Sequence, residues 1–162
     1  MKAVYHYAPW AYLPSMVEAG CLRPSNAGAE GEAALLWFSA HQHWEPTATK
    51  LLMRRDGASR LMTFAEQLAS FGCIRFRLAA DDPRLMTWKA ACAVAGTARD
   101  KRRALERHGK KLGADPAHWF AVADPVPLPE LALEVFADSA WRPAVPEEMA
   151  QVWIEHIAQR AA

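Results

Sequence analysis

The side chains with chemical potential fall at a few places in the chain. His6 lies between Tyr5 and Tyr7 in the opening run Lys2–Tyr7, which is rich in β-branched and aromatic residues. An imidazole there either works near neutral pH or is a satisfied core residue of a strand. His41 and His43 are two residues apart in the dense segment His41-Gln42-His43-Trp44-Glu45-Pro46, on one face if that segment is extended. A metal pair is conceivable there, but no third ligand has the spacing a site needs. Glu45 precedes Pro46 and Thr47, so it either caps a rigid turn or stands at the mouth of a cleft. Glu134 lies in the alternating run Leu131–Phe136, opposite Leu133 and Val135, as a cleft acid or an exposed strand acid.

Several chemistries have no sequence to support them. There is no nucleophile elbow, no H-E-x-x-H pair and no calcium-loop spacing. No glycine-rich phosphate loop of the dinucleotide or Walker type occurs, which argues against a Rossmann enzyme or a P-loop ATPase. Cys21, Cys73 and Cys92 are scattered, match no zinc pattern and leave one thiol over under any pairing. That usage suits a reducing compartment, and a cytoplasmic location is expected. No apolar run approaches the roughly 18 residues that span a bilayer, and the first 20 residues lack the basic start and small-residue cleavage site of a secretory leader.

With 162 residues, 52% hydrophobic and 23% charged, the chain is expected to fold as one domain with its own core. Disordered, collagen-like and coiled-coil classes are excluded by the same composition. The net charge of +1 hides an asymmetry. Residues 99–111 carry seven Lys/Arg against two Asp/Glu, whereas residues 112–162 carry two against eight. The basic segment is either a solvated helix face or a surface for a phosphate-bearing partner. In the second case a nucleic acid would be met by Lys101, Arg102, Arg103, Lys110 and Lys111, together with Arg75 and Arg77. Thr97 and Asp100 have capping-box spacing at the start of this helix, and Gly109 is a plausible stop.

The elements that must position these residues can be read from period and punctuation. Lys2–Tyr7 reads as a strand, Ala11–Ala19 as a helix with Pro14 in its first turn, and Gly20 as its end. A polar, Gly-rich loop through Glu32 leads to a short apolar strand, Ala34–Ser39. Thr63 and Glu66 have capping-box spacing before Phe64, Leu68 and Phe71 on one helical face, with Gly72 closing. Cys73–Leu78 alternates as a half-buried strand with Arg75 and Arg77 on its open face. Leu85–Ala95 reads as a helix with Trp88, Ala91, Cys92 and Ala95 inward. Trp119–Ala123 and Leu131–Phe136 read as strands joined by an extended connection through Pro125, Pro127 and Pro129. The final helix places Met149, Val152, Trp153, His156 and Ile157 inward. Strands and helices mix without a βαβ rhythm, which predicts an α+β single domain of mixed or antiparallel sheet with flanking helices.

Tyr5-His6-Tyr7, then Leu13, Pro14 and Met16, then Glu18-Ala19-Gly20-Cys21-Leu22-Arg23-Pro24-Ser25, resemble the opening of the ADP-ribosyltransferase superfamily. The likeness is greatest to the DNA-modifying ADP-ribosyltransferase toxins and the NAD-dependent RNA 2′-phosphotransferases. Leu35-Leu36-Trp37-Phe38-Ser39 is similar to their second core strand, and Leu133-Glu134-Val135-Phe136 to the late strand bearing their acidic residue. The resemblance implies an ADP-ribosyltransferase-like fold, NAD as cofactor, and transfer of ADP-ribose to a macromolecular acceptor after cleavage of the nicotinamide glycosidic bond. It places His6 on the nicotinamide-side ribose and Ser39 against the nicotinamide, with Tyr7 in the same cofactor site. Glu134, or its rival Glu45, would stabilise the charge that develops on the sugar. Arg23 would meet the pyrophosphate, and Trp37 or Trp44 would stack on a ring. A shared cleft for His6, Ser39 and one of these carboxylates is the central expectation. Two other readings remain open: an anion- or nucleic-acid-binding module without turnover, and a partner-binding protein whose surface is built from tryptophans.

Overall fold

The opening run becomes the middle of the molecule. The computed structural model describes residues 3–26, 29–53, 57 and 59–161, so Lys2 and the centre of the Gly-rich loop lie outside it. β1 (Ala3–Pro9) is followed by α1 (Leu13–Ala19), β2 (Cys21–Leu22) and β3 (Leu36–Ser39). A hairpin of β4 (Leu51–Met53) and β5 (Ser59–Leu61) precedes α2 (Phe64–Phe71), β6 (Cys73–Ala79), β7 (Met86–Thr87), α3 (Trp88–Ala95) and α4 (Arg99–Lys111). The chain ends with β8 (Trp119–Val122), β9 (Val126–Pro127), β10 (Ala132–Ala137), β11 (Ala140–Ala144) and α5 (Pro146–Ala161). Seven strands form one sheet in the order β11-β10-β6-β1-β3-β8-β7, every neighbouring pair antiparallel. The fold is α+β, as expected.

Local chemistry explains several boundaries. Gly20 ends α1 at φ 66°, a left-handed position that suits a residue without Cβ. Thr63 and Glu66 form the capping box of α2 reciprocally, and Gly72 closes the helix. α4 departs from expectation at both ends. Its N-cap is Ala98, with no side-chain cap, and the helix runs through Gly109 to Lys111. Gly109 is there for space rather than for termination. A Cβ at this position would lie 2.4 Å from Cη2 of Trp119, whose buried ring packs edge-on against Trp88. Gly109→Ala should therefore destabilise the protein by about 1–3 kcal/mol through overpacking, despite gaining up to about 1 kcal/mol of helix propensity. The midpoint of urea unfolding measures this, and a rise would show that the ring has room to move.

Both faces of the sheet are covered. One packs Val4, Phe38, Ile74, Phe76 and Leu133 against Leu13 of α1, Leu22 of β2, Val126 of β9 and Ala150 of α5. The other packs Tyr5, Tyr7 and Cys73 with Trp44, Phe64 of α2 and Trp141 of β11. Further along, α3 sets Ala91 and Ala95 on Leu35 and Ala121. This double cover corrects two expectations. Arg75 of β6 is buried rather than on an open face, so it cannot meet a nucleic acid, although Arg77 is exposed. α5 turns Met149, Ala150 and Trp153 inward, leaving Val152 46% and Ile157 45% exposed. Met149 and Trp153 are inward as expected, whereas His156 is exposed along with Val152 and Ile157.

Candidate functional site

The segment after β3 forms a strap over the aromatic face of the sheet. Its position is set by three side chains donating to three successive carbonyls. Tyr7 Oη donates to the oxygen of His41, Arg75 Nη1 to that of Gln42, and Trp141 Nε1 to that of His43. Burial raises the Tyr7 phenol to about 12, so it remains a protonated donor at any physiological pH. Inside the strap, Trp44 N–H donates to His41 Nδ1 at 3.3 Å, and the His43 ring packs on Phe64 and Phe136. The two imidazoles thus have structural partners. Among the described residues no group of three or more His, Cys, Asp or Glu could hold a metal ion.

The strap ends on a buried acid. Glu45 is 5% exposed and its carboxylate accepts three hydrogen bonds: from Ser39 Oγ at 2.6 Å, Thr47 Oγ1 at 2.7 Å and Thr47 N–H at 3.2 Å. Ser39, 2% exposed, also accepts from His41 N–H at 3.1 Å. The turn-capping reading of Glu45 holds. It caps the turn at Pro46–Ala48, and it is also a fixed carboxylate with no cationic partner among the described residues.

Glu134 has a different setting. Its carboxylate pairs with Arg75 Nε, and the guanidinium lies 4.0 Å from the Tyr5 ring centroid and 4.5 Å from that of Trp141. Arg75 thereby joins β6, β10, β11, β1 and the strap. The sequence shows an alternating arginine and an alternating acid. That they meet follows from the register Glu134↔Arg75, which no local signal reveals.

His6 occupies a break in the sheet. β1 pairs with β6 along its whole length, Ala3↔Ala79 to Pro9↔Cys73, but with β3 only at Tyr5↔Ser39. β3 meanwhile pairs fully with β8. Immediately past the single β1–β3 position, His6 Nδ1 approaches the carbonyl oxygen of Trp37 at 2.8 Å. A carbonyl only accepts, so Nδ1 carries the proton and Nε2 is left as an acceptor. Burial lowers the imidazole's pKa, with the Trp37 hydrogen bond opposing and the charge of Lys50 adding to the fall. His6 is thus a half-buried imidazole beside the single β1–β3 pairing.

The register divides the expected set. Ser39 shares a face with its partner Tyr5, whereas His6, the next residue along β1, points to the other. Glu134, Tyr7 and Arg75 also lie on the Tyr5 face. His6 therefore does not share a face of the sheet with Ser39 and Glu134. Ser39 and Glu45 meet directly, with His6 beside them through the sheet. Trp44, packed on Tyr7 and Phe64 and only 7% exposed, is a core residue and has no free face for a ligand ring. Trp37, against Trp88, is 37% exposed. Arg23 lies exposed just past β2. The other tryptophans are buried or half-buried.

No family model, curated protein or solved structure matches this chain.

Proposed function

We propose that the chain is an ADP-ribosyltransferase-like protein that binds NAD at the split between β1 and β3. The observation carrying this reading is the single β1–β3 pairing at Tyr5↔Ser39, beside which His6 is fastened to the Trp37 carbonyl by Nδ1, leaving Nε2 as an acceptor. A ribose hydroxyl is the donor such an atom would take. The order of His6, the helix, Gly20 and the strand ending in Ser39 supports the same reading. The carboxylate, on the Ser39 side of the sheet across from His6, would be Glu45 rather than Glu134, because Glu45 has only hydroxyl and amide donors around it. A carboxylate so placed stabilises the cationic sugar as nicotinamide leaves, whereas the charge of Glu134 is already matched by Arg75.

NAD should raise the melting temperature. At one hundred times Kd the gain is about 2.7 kcal/mol, or roughly 5–10 °C for a chain of this size. His6→Ala should abolish most of it. No shift with millimolar NAD overturns the reading.

The second reading, a polyanion-binding module, is favoured by one feature of α4. Lys101 pairs with Glu32 and Arg102 with Glu106, but Arg99, Arg103, Arg107, Lys110 and Lys111 make no ion pair among the described residues. The first three recur every fourth residue, along one exposed stripe of the helix. In the same melting assay, an oligonucleotide that shifts the midpoint with steep salt dependence while NAD does not would select this reading.

A further inference from the structure

Among the described residues, the partner of the Lys50 ammonium is an aromatic ring instead of an acid. Lys50 makes no ion pair among those residues, and its ammonium lies 5.6 Å from the centroid of the Tyr12 ring. Its side chain is half-buried, and desolvation lowers its pKa. A desolvated, unmatched positive charge is costly unless something covers it. Its charge also reaches His6.

The backbone of Lys50 is held firmly. Its N–H donates to Oε1 of Gln67 at 2.9 Å, and its carbonyl accepts from Met62 N–H at 2.9 Å. Gln67 is completely buried, a polar side chain kept inside the fold where its amide oxygen fixes residue 50. The ammonium opens on a groove of about 280 Å³ lined by Pro9, Ala11, Tyr12, Leu51 and Phe71. Tyr12 is 50% exposed, Leu51 62% and Phe71 39%. That volume has room for more than a bare anion.

We propose that this groove binds a nucleoside diphosphate group, free or as part of a dinucleotide, with Lys50 on the phosphates and the rings of Tyr12 and Phe71 against the base or sugar. An ammonium is a compact point charge with three donors, suited to a multi-oxygen anion; no guanidinium fork is present to select a planar carboxylate. The apolar walls account for the rest of the volume. Lys50 has no place in the glycosidic chemistry above, so the groove and that chemistry can fail separately.

Calorimetric titration of the wild-type chain and of Lys50→Gln with inorganic pyrophosphate, ADP and adenosine tests the assignment. The wild type should bind pyrophosphate and ADP saturably. Lys50→Gln should weaken both about 10- to 100-fold, the loss of a charge-assisted hydrogen bond, while adenosine binds both proteins alike. Tyr12→Ala should weaken ADP more than pyrophosphate. Displacement of ADP by NAD identifies the dinucleotide as the source of the diphosphate, and its absence identifies a free nucleotide. Equal affinities of wild type and Lys50→Gln for ADP, with both folded by circular dichroism, overturn the proposal, as does failure of the wild type to bind either phosphate ligand. ADP binding without any NAD cleavage would remove the glycosidic reading and leave the groove standing.

Discussion

Arg75→Ala is expected to destabilise the protein by about 3–5 kcal/mol, the usual cost of removing one partner of a buried ion pair. Domains of this kind are stable by about 5–15 kcal/mol, so the loss is a large fraction of the whole. The side chain does several things at once. It balances Glu134, donates to the Gln42 carbonyl and fills the space between the Tyr5 and Trp141 rings. Truncation leaves a half-buried carboxylate without its cation, an orphaned carbonyl and a gap between two rings. Arg75→Lys keeps the charge but loses the planar stack and the second donor direction, so it should recover only part of the loss. Adding Glu134→Gln to Arg75→Ala removes the unmatched charge and should restore a measurable share, the coupling that a double-mutant cycle isolates. Urea unfolding gives these energies. A cost below about 1 kcal/mol would place Arg75 among ordinary surface arginines. Amide exchange in residues 41–45 should also quicken in the variant, because one of the three bonds across the strap has gone.

Period and punctuation make much of the architecture legible. The α2 capping box, the left-handed stop at Gly20, the alternation of Cys73–Leu78 and the inward face of α3 all depend on neighbours within one turn or one strand. What escapes them depends on distant chain. Arg75 has the spacing of a solvent-facing strand residue, and only the strap, more than thirty positions earlier, turns that face into an interior. α4 has the punctuation of a helix stopped at Gly109 because glycine usually marks an end; here a tryptophan ring needs the room. The pattern of α5 misleads in part because Val152 and Ile157 are apolar yet exposed, and hydrophobic identity alone cannot separate a buried stripe from an exposed one. The site is legible to the same degree. His6 and Glu45 stand out by type and spacing and Ser39 only through the resemblance, and strand parity separates His6 from Ser39 only once the Tyr5↔Ser39 register is known. Lys50 and Gln67 carry no motif at all, and only their meeting gives them meaning.

Glu45→Gln should leave NAD bound within a few-fold of wild type and slow nicotinamide release about 10²- to 10³-fold, the range seen when one preorganised electrostatic group is lost from a reacting centre. The substitution preserves shape. The new side-chain amide would still accept through its one oxygen, while Ser39 Oγ can rotate to accept from the amide N–H, so the strap should stay closed. Exchanging charged for neutral hydrogen bonds should cost only about 1–2 kcal/mol of stability. Glu134→Gln has the opposite signature. It unbalances Arg75, lowers the melting temperature more than Glu45→Gln does, and should leave the chemical step unchanged at temperatures where the variant is folded. The contrast rests on the partners of the two acids: Glu45 accepts from Ser39 and Thr47, Glu134 from a guanidinium. A carboxylate already balanced by an adjacent cation offers little field to a second positive charge forming nearby. Single-turnover release of nicotinamide, with NAD affinity measured separately by calorimetry, separates the two roles. Full activity in Glu45→Gln together with loss in Glu134→Gln would reverse the assignment and put the sugar on the Arg75 side of the strap.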